Sequence, residues 1–225
     1  LVFPVLMLLL FGGIFGNTPV YDGAAIRMMD ISVPAYAVMI TGVTGLMSMP
    51  LTLSGYKEKK IYKRFDATPV GKKSIMLAQV LVNLVMTLIG ISILIIAGML
   101  LYHIQIKGTF LSICFGVLFS IAAMFSMGFL FTAIGQDSRS TTLLCYLCYF
   151  IMLFLSGATM PDMMFPDSIK RISDCLPMTY AVDLMQGVFA GDSLKQHGME
   201  LLILGSLTLI CIIAGAILYR RKDWT

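Results

Sequence analysis

The chain is 225 residues long, 58% hydrophobic and only 12% charged, with a formal net charge of +4 and a mean hydropathy of +0.90. A soluble domain carries roughly twice that charge fraction, and a single water-surrounded core cannot hide so much apolar surface, so the solvent is lipid. The positive balance does not point to nucleic acid, because the basic residues collect in loops, and the scattered Cys114, Cys145, Cys148, Cys175 and Cys211 form no disulfide framework.

Six charge-free stretches divide the chain: Leu1–Tyr21, Ile31–Tyr56, Ser74–Ile106, Gly108–Gln136, Ser140–Pro161 and Leu201–Tyr219. A spanning helix needs about 20 apolar residues, and each stretch supplies them, the first only just. Asn17, Thr18 and Pro19 end the apolar part of that first stretch early. It lacks a basic n-region and a small-residue cleavage site, so the expectation is a truncated first helix rather than a signal peptide. The runs are continuous rather than alternating, which excludes barrel strands. The expected fold is an all-α membrane protein, a six-helix bundle forming one domain over residues 1–225.

The loop Gly55–Lys73 follows the second span. Within it, Tyr56, Lys57, Glu58, Lys59, Lys60, Ile61, Tyr62, Lys63, Arg64 and Phe65 read as a short basic helix. Ile61 and Phe65 are four apart and Tyr62 and Phe65 three apart, so they share a face. Two readings are open: attraction to anionic lipid, or docking of the apolar face into a groove on a partner with the lysines around it. Thr68-Pro69 suits the cap and first position of the next helix. Gly71-Lys72-Lys73-Ser74 is no phosphate cradle, because the required glycine is Asp66 and the first lysine precedes another lysine.

In the fourth span, Ser112, Gly116, Ser120 and Gly128 fall on one face. Small residues let helices approach closely; the face serves packing within the subunit, a second copy or a translocation path. Asp137 and Arg139 mark a short turn, read as a local pair or a lipid contact. Cys145 and Cys148 lie mid-helix with no histidine near, which favours packing over metal. Met124, Met127, Met152, Met160, Met163, Met164, Met178 and Met185 crowd the later half, as core filler or an adaptable apolar surface.

The outer stretch Pro161–Gly198 has its own pattern. Ile169, Ile172 and Leu176 follow a helical period, and Pro177 breaks that helix or starts the next. Ala181 to Phe189 then form an apolar run too short to span, which reads as interfacial or re-entrant, with Gly187 and Gly191 ending it. His103 and His197 fall in loops and read as solvated.

Orientation follows from the charges. With Leu1 near the cytoplasm, eleven of sixteen basic residues lie inside: Lys57, Lys59, Lys60, Lys63, Arg64, Lys72, Lys73, Arg139, Arg220, Arg221 and Lys222. Eight of twelve acidic residues lie outside, and the opposite orientation reverses both biases. The six spans hold no Asp, Glu, Lys or Arg, which argues against an ion-coupled pump or a membrane hydrolase. A passive stand-alone transporter or channel, or a structural membrane protein, stays open as an alternative.

Three segments together resemble the ABC-2 type transporter permeases. Glu58 to Val70, ending Ala67-Thr68-Pro69, is similar to the loop after that family's second helix. Phe154-Leu155-Ser156-Gly157-Ala158-Thr159-Met160-Pro161 resembles the end of its fifth, and Leu176-Pro177-Met178-Thr179-Tyr180 the stretch before a short outer helix. The tail Tyr219 to Asp223 also fits, whereas the family's amphipathic helix before the first span is absent here. The resemblance implies a half-transporter, not itself an enzyme, in a bacterial plasma membrane with a cytoplasmic C-terminus. It implies a separate ATPase subunit that binds ATP and Mg, with no cofactor on this chain, and a second permease, giving a homodimer or a paralogous pair. It implies export of an amphiphilic drug, antibiotic or lipid-like compound, weakly favouring the drug-resistance branch. It maps a coupling helix onto Tyr56, Lys59, Lys60, Ile61, Tyr62, Lys63, Arg64 and Phe65, and an outer gate onto Pro161, Pro177, Thr179 and Tyr180.

Overall fold

The computed structural model describes residues 2–16, 18–19, 27–59, 61, 71–159 and 165–221. Continuous apolar runs become helices because, in lipid, a helix satisfies every backbone group within its own segment. In chain order they are α1 (Val2–Phe15), α2 (Met28–Gly42), a π-helical turn (Val43–Ser48), α3 (Met49–Glu58), α4 (Gly71–Tyr102), α5 (Phe110–Ile134), α6 (Ser138–Leu155), the short α7 (Asp167–Ser173), α8 (Pro177–Ala190) and α9 (Gly198–Arg221). Among the described residues there is no strand, only an isolated antiparallel bridge between Pro19 and Arg27.

Among the described residues, five helices are long and apolar enough to cross a membrane: Met28–Glu58, Ser74–Tyr102, Phe110–Ile134, Ser138–Leu155 and Gly198–Tyr219. These coincide with the second to sixth expected spans. Within the first expected span the described helix is α1, 14 residues long. It stops because Gly16 turns into the left-handed region at φ 52°, its N–H closing on the Gly12 carbonyl at 2.8 Å.

The continuous helix Met28–Glu58 is the most enclosed of the five although it is among the least apolar. The two properties go together. An enclosed helix keeps its polar side chains out of lipid, where they bond to carbonyls of their own helix or to a neighbouring one. Ser32 donates to the Met28 carbonyl at 2.9 Å and Thr41 to the Val38 carbonyl at 2.7 Å. In the π turn, Thr87 of α4 donates to Thr44 at 2.7 Å, and Thr44 in turn donates to the Ile40 carbonyl at 2.9 Å. The same turn brings backbone against backbone. A Cβ on Gly45 lies 2.8 Å from the Met124 carbonyl carbon, and one on Gly128 meets the Gly45 carbonyl oxygen and lies 2.9 Å from Pro50. Bare glycines on both sides let the turn seat on α5.

Around this helix pack α1, α4, α5, α6 and α8, with α9 against α5 and α8. The outward faces are apolar: Leu81, Val85, Ile89, Ile93 and Leu100 of α4, and Leu202, Leu209, Ile213 and Ile217 of α9, are all exposed. In lipid such faces carry no penalty. Met124, Met152, Met178 and Met185 are buried in the core, where a flexible thioether fills irregular gaps.

Candidate functional site

The two ends of the bundle differ in chemistry. At one end, Tyr56, Lys57 and Glu58 complete the last turn of α3 rather than opening a separate helix. The helix closes at Lys59, whose N–H meets the Gly55 carbonyl at 3.1 Å. Tyr56, Lys57 and Ile61 are half-buried and Lys59 is exposed. Lys60, Tyr62, Lys63, Arg64 and Phe65 lie outside the described residues, as do Thr68 and Pro69.

Lys57 Nζ donates to the Gly135 carbonyl at 3.2 Å, linking α3 to the corner between α5 and α6. The last carbonyls of a helix lack intrahelical partners and carry the negative end of its dipole, so an ammonium is well placed there. Asp137 caps α6, accepting the Ser140 N–H at 2.8 Å, and Thr141 donates to the Asp137 carbonyl at 2.8 Å. Hydrogen bonding to the Ser140 side chain, then to its N–H, holds the Asp137 carboxyl below its ordinary range, with Arg139 a smaller pull. Asp137 is therefore a helix cap. Tyr219 near the end of α9 stacks on Phe129 of α5 at 6.3 Å, so α9 ends on the same side of the bundle.

At the opposite end, Asp30 in the first turn of α2 accepts two backbone N–H groups, from Arg27 at 3.2 Å and from Gln105 at 2.9 Å. It pins the α4–α5 loop to α2. Lys107 N–H donates to the Phe189 carbonyl at 3.1 Å, and Gln186 donates to the Ile31 carbonyl at 3.3 Å, so α8 joins the same junction. A cavity of about 310 Å³ opens there, lined by Asp30, Gln105, Lys107, Asp183, Gln186 and Phe189 among others. We predict that Asp30→Ala loosens this junction at a cost of about 1–3 kcal/mol, because two N–H groups lose a charged acceptor. Hydrogen exchange over residues 103–109 measures it; unchanged protection there would refute the prediction.

Three of the expected gate residues, Pro177, Thr179 and Tyr180, occupy this end. Pro177 sits in the first turn of α8, where the missing N–H costs nothing. Thr179 donates to the Ser173 carbonyl at 2.7 Å, and Tyr180 to the Asp174 carbonyl at 2.6 Å, so both staple α8 to α7. Desolvation raises the Tyr180 phenol, helped by Asp174 and other nearby acids. Pro161 lies outside the described residues. Gly191 ends α8 in the left-handed region at φ 102°, whereas Gly187 stays inside the helix beside the His197 ring. His197 is not merely solvated: its ring lies between Asp192 at 3.5 Å and Glu200 at 3.4 Å, with only 14% of its side chain exposed.

The small-residue face turns mostly into the chain. Gly116 is buried, and a Cβ there lies 3.2 Å from the Met185 sulfur; Ser120 is fully buried and donates to the Gly116 carbonyl at 2.8 Å. Gly128 meets Gly45, and Ser112 is half-buried. Cys145 is a buried free thiol, and Cys148 a half-buried one. Among the described residues no group of three His, Cys, Asp or Glu is placed to hold a metal.

A family profile for the ABC-2 type transporter matches residues 1–190, from α1 to the end of α8. The chain belongs to the ABC-2 type transporter family. No individual curated protein matches it. Family membership makes it the multi-pass membrane domain, a transport subunit rather than an enzyme in itself, of the kind that works with an ABC ATPase. In this ABC-2 permease the sequence puts Lys57 in the short basic loop helix, leaves Asp30 and Gln105 without a role and makes His197 a solvated loop residue. Each owes its place to a neighbour remote in sequence or across a turn, and only the capping pattern of Arg27 and Asp30 at the start of α2 is a local signal.

Proposed function

We propose that this permease is half of an ABC exporter that moves an amphiphilic drug, antibiotic or lipid-like compound out of the cell, powered by a separate ATPase subunit that holds ATP and Mg. The observation that carries the reading is the distribution of charge. The charged residues of the spanning helices, Asp30, Lys57, Glu58, Arg139 and Glu200, stand in their first or last turns, and the stretches between hold no acidic or basic side chain for ion coupling, so the driving force enters from outside the bilayer. The basic residues collect where α3, the α5–α6 corner and α9 end, the place for a soluble partner on the cytoplasmic side.

On this reading α1 counts as the first of six spans, and the C-terminus is cytoplasmic in a bacterial plasma membrane. Tyr56, Lys59, Lys60, Ile61, Tyr62, Lys63, Arg64 and Phe65 form the coupling element that docks on the ATPase. Pro161, Pro177, Thr179 and Tyr180 belong to the outer gate. Gly116, Ser120 and Gly128 serve packing within the subunit, and a second permease, identical or paralogous, completes the transporter. The test is affinity purification of the tagged protein from native membranes in mild detergent, with mass spectrometry of what accompanies it. Recovery of a P-loop ATPase is the expected result; reproducible purification without one would overturn the reading in favour of a stand-alone transporter or channel.

A further inference from the structure

The bond from Lys57 to Gly135 joins positions 78 residues apart. Lys57 stands in the last turn of α3, two residues before the helix closes at Lys59 and just ahead of the 60–70 segment. Gly135 belongs to a tight corner. A Cβ on it lies 2.9 Å from the Thr141 Cβ, Thr141 is buried and bonds the Asp137 carbonyl, and Asp137 caps α6. The end of α5 and the start of α6 therefore form one block, and Lys57 grips that block by a carbonyl at the negative end of the α5 dipole. Leu53, one turn earlier, is fully buried, but apolar packing can slide, whereas a directional charge-assisted bond fixes register.

We propose that Lys57 is a positioning residue that transmits displacement of the 60–70 segment to the α5–α6 corner. This rests on the reading of that segment as the ATPase docking element. Force applied beyond Lys59 moves the end of α3, and the ammonium carries the α5 terminus and the first turn of α6 with it. Lys57→Met keeps the length and apolar stem but removes the cation and its donors; Lys57→Arg keeps both.

The experiment uses the full permease assembled with its ATPase, with the five native cysteines replaced by alanine. Spin labels on Leu77→Cys at the start of α4 and Gln136→Cys at the corner, both exposed, report the corner's position by pulsed electron paramagnetic resonance. Trapping the ATPase with ATP and vanadate is expected to shift the 77–136 distance when Lys57 or Arg occupies the position, and not with Met. Basal ATP turnover is expected to stay within about twofold, since one partly exposed side chain remote from the nucleotide changes. An equal shift in Lys57→Met, no shift with the native lysine, or loss of the shift in Lys57→Arg each overturns the proposal. Failure of any ATPase to assemble with the native permease overturns instead the docking reading on which it rests.

Discussion

Gly128→Val is expected to leave almost no correctly folded permease in the membrane. At Gly128 a Cβ would meet the Gly45 carbonyl oxygen and lie 3.0 Å from the Gly45 carbonyl carbon and 2.9 Å from Pro50. Two of these obstacles are backbone, so no rotamer change relieves them. Overpacking by flexible side chains costs about 1–3 kcal/mol, and a clash of backbone with a branched side chain lies beyond that range. The π turn at Val43–Ser48 would have to leave α5, breaking the bond between Thr87 and Thr44 that ties the turn to α4. Gly55→Ala is the control: a Cβ there meets nothing, and the expected change is within about 0.5 kcal/mol. Size-exclusion yield and thermal unfolding in detergent distinguish the two. Wild-type yield and melting in Gly128→Val would refute the close approach of α5 to the π turn.

The double change Tyr62→Ala with Phe65→Ala is expected to strip the ATPase from the permease and abolish ATP-driven transport, while membrane insertion and melting stay at wild-type values. On the proposed docking reading, the spacing of three puts Tyr62 and Phe65 on one apolar face of a helical segment. Aromatic anchors at protein interfaces typically cost at least about 2 kcal/mol each when truncated, or roughly thirtyfold in affinity per residue. The lysines around them steer encounter and register, so their removal acts through salt-sensitive association. The lipid-contact reading makes the opposite prediction: the double variant keeps its ATPase and its transport. Co-purification together with ATP-dependent uptake into inverted vesicles separates them, and a variant that retains both activities would return the segment to a role at the bilayer surface.

Much of this fold is legible residue by residue because lipid leaves the backbone few choices. Where the chain carries no charge for about twenty residues, the helix follows, and the second to sixth expected spans lie within a few residues of the helices that form. Pro177 opens α8 and Gly191 closes it, as a ring-locked φ and a residue without Cβ dictate locally. The family is legible for a related reason: its marks are short contiguous segments at loop boundaries, spread across a match over residues 1–190. The candidate site is less legible. Tyr56 to Glu58 read as the start of a loop helix because their charges end an apolar run. They continue α3, and Lys57 meets the Gly135 carbonyl just beyond α5, a partner that no local pattern announces.

The amino-acid sequence alone determines the solvent, the helices, their caps and the asymmetry of charge between the two ends, because each depends on composition or on neighbours within about one helical turn. Tertiary structure alone decides the π turn made possible by Gly45 meeting Gly128, the grip of Asp30 on Gln105, the enclosure of His197 beside Gly187 and the bond from Lys57 to Gly135. Most of these depend on how one element is rotated and seated against another far away in the chain. That rotation is set by the packing of the whole bundle, not by any window of sequence.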